Sequence, residues 1–142
     1  MIDTHLIERK LRKIETFLME IETADAPPGF DSFSDNIVFK RFVERNIELS
    51  IEQMIDICKH LVSGLGLREP ETYAECFEII GKAGVVARQD ANIFKAMARY
   101  RNLLIHGYDG VDDKITYKIY SKNLKDFKLF VNSIRGYIQR YK

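Results

Sequence analysis

Apolar residues recur along this chain at spacings of three and four, and this pattern predicts a helical fold. The spacing is unbroken over residues 2–21, which we predict as the first helix. The Pro-Pro pair at 27–28 excludes a continuous helix, because proline lacks a backbone donor and clashes with the preceding turn. Ser34 or Asp35 can cap a second, long helix that ends at Ser63.

Three further helices are predicted, over about residues 71–81, 89–105 and 124–138. Pro70 opens the first of them. Between the last two, residues 107–120 contain an Asp-Gly turn signal and a brief alternation of apolar side chains. We interpret this segment as an extended loop, because a single short strand would have no partner. The predicted fold class is therefore all-α, an up-down bundle of about five helices with an irregular loop after the fourth.

Length and composition favour one folded domain spanning residues 1–142. The chain is 46% hydrophobic and 30% charged, which supplies enough apolar material for one core. Cys58 and Cys76 have no partner at metal-ligand spacing, so we expect reduced core thiols and neither a metal nor a cofactor. No apolar run approaches the roughly 18 residues that span a bilayer, and no secretion signal is evident, so a cytoplasmic protein is expected. The loop at residues 24–35 is assigned no function.

The charge of the chain is polarised along its length. Residues 1–87 hold ten Lys/Arg and sixteen Asp/Glu, a net charge of −6. Residues 88–142 hold twelve Lys/Arg and five Asp/Glu, a net charge of +7. A basic C-terminal part is typical of proteins that bind a polyanion, although solvated basic helix faces produce the same pattern.

The sequence YRNLLIHGY at the end of the fourth predicted helix concentrates polar groups among residues that must pack. On a regular helix Asn102 and His106 lie about 40° apart, on one face. Arg101 and His106 lie about 140° apart. They can act together only if the helix ends or distorts near Ile105, or if the long arginine side chain reaches around. Gly107 favours the first option, because glycine commonly follows a helix end.

An arginine, an amide and a histidine beside a basic surface fit the cleavage of RNA without a metal. A guanidinium can bind phosphoryl oxygens bidentately, and an imidazole can accept or donate a proton near neutral pH. Arg99, about 20° from His106 around the helix, is an expected RNA contact. One chain supplies a single suitable histidine, so a twofold dimer would provide the second proton-transfer group. The Arg-x4-His spacing alone is also typical of a partly buried histidine that caps a helix.

Beyond this spacing, the chain resembles the HepT-like toxins of the HEPN superfamily. Residues 101–108 match the Arg-x4-His-x-Tyr signature of those toxins, including the polar residue after the arginine. Other segments are similar in order and spacing: Pro70-Glu-Thr-Tyr73, Phe77 to Gly81 with Ala83-Gly84-Val85, the acidic turn Asp109 to Asp113, and Asn123 to Phe127. The resemblance covers most of the chain.

The resemblance implies a five-helix HEPN fold, a homodimer with both motifs near the twofold axis, and a metal-independent endoribonuclease that acts as a toxin. Carried over by position, Arg101 and His106 are the catalytic pair and Asn102 helps to shape the site. The implied partner is an MntA-type minimal nucleotidyltransferase antitoxin that silences the toxin by transferring AMP to Tyr108. A phenol bearing an anionic nucleotide there would occupy the RNA phosphate site and pair with Arg101. Tyr108 can alternatively be a half-buried aromatic residue that closes the helix end.

The sequence is compatible with two other functions. The first is a non-catalytic helical partner that binds nucleotide or substrate for a separate nucleotidyltransferase. The intact Arg101, Asn102 and His106 argue against it, because a purely structural module does not need all three. The second is a metal site at the acidic turn 109–113. The carboxylate spacing there does not match an EF-hand loop, so a solvated turn is expected.

Overall fold

The computed structural model describes residues 1–107 and 110–141, and every regular element in these residues is a helix. In chain order, the seven helices are α1 (Thr4–Thr23), α2 (Gly29–Asp35), α3 (Ile37–Gly64), α4 (Tyr73–Lys82), α5 (Arg88–His106), α6 (Asp113–Lys122) and α7 (Leu124–Tyr141). The all-α prediction is confirmed. The predicted count of about five is corrected to seven, because two short helices occupy segments that we interpreted as loops.

Helices α1, α3, α4, α5 and α7 enclose one continuous apolar core. The central helix α3 packs against α1, α4 and α5, while α4 packs along α5 and α7 closes against α1 and α5. Phe77, Phe94 and Phe130 are fully buried where α4, α5 and α7 meet, and their ring centroids lie 5.0–6.1 Å apart. Tilted and edge-to-face packing of this kind stabilises aromatic cores beyond the burial of area alone. The apolar positions that recur at spacings of three and four in the predicted helices therefore face this core.

Side-chain caps fix where the long helices begin. The Asn36 side chain accepts a hydrogen bond of 3.0 Å from the backbone N–H of Phe39, so the cap of α3 is Asn36 and not Ser34 or Asp35. The Thr72 hydroxyl accepts one of 3.0 Å from the backbone N–H of Glu75. Because Thr72 caps α4, that helix begins at Tyr73, two residues later than predicted.

The prediction of an extended loop over residues 107–120 is wrong for its second part, which is α6. The Asp112 carboxylate caps this helix by accepting a hydrogen bond of 2.9 Å from the backbone N–H of Lys114. Tyr117 and Tyr120, three positions apart, both pack on Phe33. The apolar alternation in the sequence concealed this helical spacing.

The segment 24–35, predicted as a loop, contains α2. Its seven residues have no side-chain cap at Pro28, so burial must stabilise the helix. The Phe33 ring is fully buried and lies 5.2 Å from the ring of Tyr117 and 5.5 Å from that of Tyr120. Contacts with distant parts of the chain therefore order this short helix.

Asp113 joins three helices at the start of α6. Its carboxylate accepts hydrogen bonds of 2.7 Å from the Ser34 hydroxyl and 3.1 Å from the Lys40 ammonium group. The Ser34 hydrogen bond and then the Lys40 charge hold the pKa of Asp113 below its usual value. This network fastens α6 to both α2 and α3.

Arg135 fastens α7 to α1. Its guanidinium donates to the Glu8 carboxylate at 2.9 Å and to the Glu15 carboxylate at 2.8 Å. Both hydrogen bonds lower the pKa of the glutamate that accepts them. A forked, two-carboxylate interaction of this kind fixes the angle between the two helices.

Cys58 and Cys76 are both buried, which confirms the prediction that they lie in the core, and the structure joins neither in a disulfide. Burial raises the pKa of the Cys58 thiol well above its ordinary value, so this group stays protonated in the core. No helix within the described ranges combines the length and the apolar character needed to cross a membrane.

Candidate functional site at the end of helix α5

Helix α5 presents the predicted motif at its C-terminal end. Phe94, Met97, Ala98 and Tyr100 face the core. The residues that remain exposed on the other face are Arg99, Asn102, Leu103 and His106. The backbone N–H of Gly107 donates to the Leu103 carbonyl at 2.8 Å, and α5 ends at His106. The helix end predicted from Gly107 is therefore found, one residue beyond Ile105.

Arg101 lies at the boundary between the core and the surface, with 19% of its side chain exposed. Its Nη2 donates to the carboxylate of Glu52 on α3 at 3.4 Å, which is long for a charge-assisted hydrogen bond. Its guanidinium carbon lies 5.4 Å from the centre of the Tyr73 ring. The buried Nε has no hydrogen-bond partner among the described residues. Arg101 is thus positioned by one long ion pair and one ring, and within the described residues its Nη1 donates no hydrogen bond.

Asn102 opens onto a groove of about 830 Å³ between α3, the start of α4 and α5. The polar side chains of the groove are Lys59, Ser63, Glu69, Glu71, Thr72 and Asn102. Tyr73 also lines the groove, and the Lys59 ammonium group lies 5.9 Å from the centre of its ring. The groove therefore begins directly beside Arg101 and carries both positive and negative groups.

His106 is exposed as the last residue of α5, and Arg99 is exposed two turns earlier on the same helix. Because α5 is continuous through His106, Arg101 and His106 project about 140° apart around its axis. Their joint action on one phosphate stays a prediction, as does the role of Arg99. Tyr108, the predicted site of modification, lies outside the described residues.

The acidic turn has a structural use in the described residues. Asp112 caps α6, and Asp113 is engaged by Ser34 and Lys40. Asp109 lies outside the described residues. Within residues 1–107 and 110–141, no three His, Cys, Asp or Glu side chains are grouped closely enough to hold a metal ion.

Sequence reasoning missed three residues beside Arg101 and in the adjacent groove. Glu52 and Lys59 lie on α3 and Tyr73 begins α4, so they are distant from the motif in the chain. One signal was present: Glu52 and Lys59 are seven positions apart, which places them about 20° apart on one face of a helix. Tyr73 ends the Pro70–Tyr73 segment that resembles the toxin family, but nothing local indicates that it meets Arg101.

The fold of the chain is that of known HEPN toxins. A solved structure of the tri-AMPylated HEPN toxin of Shewanella oneidensis in complex with its MNT antitoxin superposes with a TM-score of 0.84, at 21% sequence identity. The match covers 96% of this chain and 99% of that one. The sequence model of the ribonuclease HepT-like family matches residues 7–134. The chain therefore belongs to the ribonuclease HepT-like family.

Two curated relatives carry nuclease names. The tRNA nuclease HepT of Aphanizomenon flos-aquae is 26% identical over 140 residues, which cover 96% of this chain and 92% of the relative. The mRNA nuclease HepT of Shewanella oneidensis is 22% identical over 104 residues, which cover 73% of this chain and 78% of the relative.

Proposed function

We propose that this chain is the toxin of a toxin–antitoxin pair, and that it cleaves RNA without a metal by means of Arg101 and His106. The observation that carries the proposal is the C-terminal end of α5, where Asn102 and His106 are exposed and Arg101 is held by a long ion pair to Glu52. Membership of the ribonuclease HepT-like family and the nuclease names of two relatives support it.

The chemistry follows from the functional groups. The ribose 2′-oxygen forms a bond to the adjacent phosphorus while the bond to the 5′-oxygen breaks, which leaves a 2′,3′-cyclic phosphate and a 5′-hydroxyl. Arg101 donates to the non-bridging oxygens, whose negative charge grows in the transition state. His106 takes the proton from the 2′-hydroxyl or gives one to the leaving 5′-oxygen. The Asn102 amide can both donate to and accept from the RNA backbone.

A homodimer would supply both proton-transfer groups, one His106 from each copy. The exposed face of α5 supports this assembly, because Leu103 is 49% exposed between the polar residues of the motif. An apolar side chain beside a twofold axis can pack against its own copy in the partner. A homodimer with two adjacent motifs is therefore part of the proposed function.

The proposed partner is an MntA-type nucleotidyltransferase antitoxin, by similarity to the AMPylated relative. In the proposed control step, the Tyr108 phenol oxygen attacks the α-phosphorus of ATP, diphosphate leaves, and the phenol proton is released. Tyr108 follows His106 by two residues in the sequence, so the added phosphate enters the region of the catalytic side chains. Its negative charge would compete with RNA for Arg101.

Cleavage assays on purified protein test the catalytic part. With tRNA and mRNA in the presence of EDTA, we expect cleavage products that end in 2′,3′-cyclic phosphate. Arg101→Ala and His106→Ala should each slow cleavage by about 10²-fold or more. His5→Ala is the matched control, because His5 is an exposed histidine on α1. Cleavage that requires a divalent metal, or that survives His106→Ala, would contradict the proposal.

Expression in cells tests whether the chain is toxic and whether its partner silences it by modifying Tyr108. The chain expressed without its partner should arrest growth, and His106→Ala should relieve the arrest. Mass spectrometry of protein purified with the partner should find one or more AMP units on Tyr108. Growth arrest by the His106→Ala variant would instead favour a non-catalytic binding role.

A further inference from the structure

The Tyr73 ring lies outside the apolar core. Phe77, on the next turn of α4, is fully buried, whereas Tyr73 is 38% exposed and lines the groove beside Asn102. Two cations lie within 6 Å of the ring centre, Arg101 at 5.4 Å and Lys59 at 5.9 Å. An aromatic ring flanked by cations at a surface groove is the arrangement that proteins use to hold single-stranded nucleic acid.

We propose that this groove binds the nucleotide next to the scissile phosphate, and that the base of this nucleotide stacks on Tyr73. The inference rests on the proposed function, which it extends by a substrate subsite formed by Tyr73, Lys59 and Asn102. The ligand is one nucleotide of a single-stranded RNA, because a base paired within a duplex does not expose its face to a ring.

The volume of the groove fits this ligand. Pockets that bind small molecules and cofactors are commonly about 300–1,000 Å³, and this groove is about 830 Å³. Since Asn102 follows Arg101 directly in α5, the groove and the proposed catalytic guanidinium are adjacent. A nucleotide in the groove therefore has its phosphate within reach of the site.

The charged side chains of the groove favour one orientation of the bound nucleotide. Lys59 and Arg101 attract a phosphate. Glu69 and Glu71 also line the groove, and within the described residues their carboxylates form no ion pair. Carboxylates repel phosphate and accept hydrogen bonds from the amino groups of bases. The sugar-phosphate is thus directed to Lys59 and Arg101, and the base edge to the glutamates.

The N-terminus of α4 does not compete for the phosphate. Thr72 caps this helix, and the Glu75 carboxylate accepts a hydrogen bond of 2.7 Å from the backbone N–H of Glu71. A carboxylate already placed in the first turn satisfies the helix dipole and disfavours a second anion. The cations beside Tyr73 remain the anion-binding part of the groove.

RNA binding by a protein that cannot cleave is the direct test. In a His106→Ala background, we would measure the Kd of a fluorescent single-stranded RNA of mixed sequence. Tyr73→Ala and Tyr73→Leu should each weaken binding about tenfold, whereas Tyr73→Phe keeps the ring and should bind within about twofold of the background protein. Tyr141→Ala is the matched control, since Tyr141 is 45% exposed at the end of α7 and does not line the groove.

Replacing Lys59 tests whether this side chain binds the phosphate of the nucleotide. Lys59→Met should weaken binding and reduce the dependence of log Kd on log salt by about 0.7, the effect of one lost phosphate contact on a single strand. Circular dichroism should show that all these variants remain folded. In the catalytically intact protein, Tyr73→Ala should raise KM for RNA cleavage more than it lowers kcat.

The outcomes separate this inference from the proposed function. If Tyr73→Ala and Tyr73→Leu bind RNA as tightly as Tyr73→Phe, the subsite is wrong even when the protein is a ribonuclease. The same conclusion follows if the His106→Ala protein binds no single-stranded RNA. If binding depends on the Tyr73 ring but the unmutated protein cleaves no RNA, the subsite stands and the catalytic proposal fails.

Discussion

The phenol of Tyr100 and the hydroxyl of Thr116 share a buried hydrogen bond of 2.6 Å that joins α5 to α6. Tyr100 is the residue before Arg101, and Thr116 lies in the middle of α6. Burial raises the pKa of Tyr100 to about 12, so the phenol stays neutral in the folded protein. This bond holds together the two helices that flank the 108–112 connection.

The Tyr100 and Thr116 hydroxyls should show a coupling free energy in a double-mutant cycle. Tyr100→Phe leaves the Thr116 hydroxyl buried without its partner, and the expected loss is about 1–3 kcal/mol in the free energy of unfolding. Thr116→Val should cost a similar amount. The double variant should lose less than the sum of the two single losses, as measured by urea denaturation. Additive losses would mean that the two groups do not interact in solution.

The ion pairs of Arg135 should make stability depend on acid pH. The pKa values of Glu8 and Glu15 are lowered in the folded state from 4.5, so their stabilisation is present above this value and is lost as the pH falls through the lowered pKa. Because both glutamates are partly exposed to solvent, we expect only about 1 kcal/mol in all.

The measurement is urea unfolding between about pH 7 and pH 3. Arg135→Gln should remove part of the acid-dependent loss of stability. Arg12→Gln is the control, because Arg12 pairs with Glu8 at 3.5 Å but is 75% exposed. Parallel pH profiles for the unmutated protein and Arg135→Gln would contradict the assignment.

Two helical glycines should respond oppositely to alanine. A Cβ at Gly81 would lie 2.9 Å from the Cβ of Ala91, where α4 packs on α5. Gly81→Ala should therefore lose about 1–3 kcal/mol of stability, through overpacking.

A Cβ at Gly136 would meet only the end of the Arg140 side chain, at 3.4 Å. Gly136→Ala should gain about 0.5–1 kcal/mol from helix propensity. Thermal unfolding measures both, and a stabilised Gly81→Ala would show that α4 and α5 pack less closely than described.

Arg99 should contribute to RNA affinity through charge. Arg99→Ala removes one exposed cation from the face of α5 that carries Asn102 and His106, so the slope of log Kd against log salt should fall by about 0.7. Affinity should weaken equally for RNAs of different sequence. Lys13→Ala, at an exposed position of α1, is the control. An unchanged salt slope for Arg99→Ala would remove this residue from the RNA-binding surface.

The sequence predicted the long helices because their burial is periodic. The stripe of α1, for example, is buried at Ile7, Leu11, Ile14, Leu18 and Ile21, which are the spacings that identify a helix. Helix ends were less predictable, since Ser34, Asp35 and Asn36 are all good caps and only tertiary structure selects Asn36. Ser34 is used instead by Asp113, which lies 79 positions away in the sequence.

The two short helices could not be predicted from local pattern. Helix α2 depends on the burial of Phe33 against tyrosines of α6, and in α6 the alternation of Ile115, Tyr117 and Ile119 concealed the helical spacing. The surroundings of Arg101 were hidden for the same reason, because Glu52 and Tyr73 reach it through the packing of α3, α4 and α5. The motif itself is local, and therefore could be found in the sequence.

The hydrogen bonds of Asp113 to Ser34 and Lys40 have a consequence for the proposed transfer of AMP to Tyr108. On one side of residues 108–112 the chain is held by the Gly107 hydrogen bond, and on the other by Asp113. Under the proposed function, a nucleotide added at Tyr108 is attached between these two fixed points of the chain, and the hydrogen bonds of Asp113 need not break. Under the proposed function, modified and unmodified protein should unfold at nearly the same temperature, and restoring activity requires hydrolysis of the added group and no refolding.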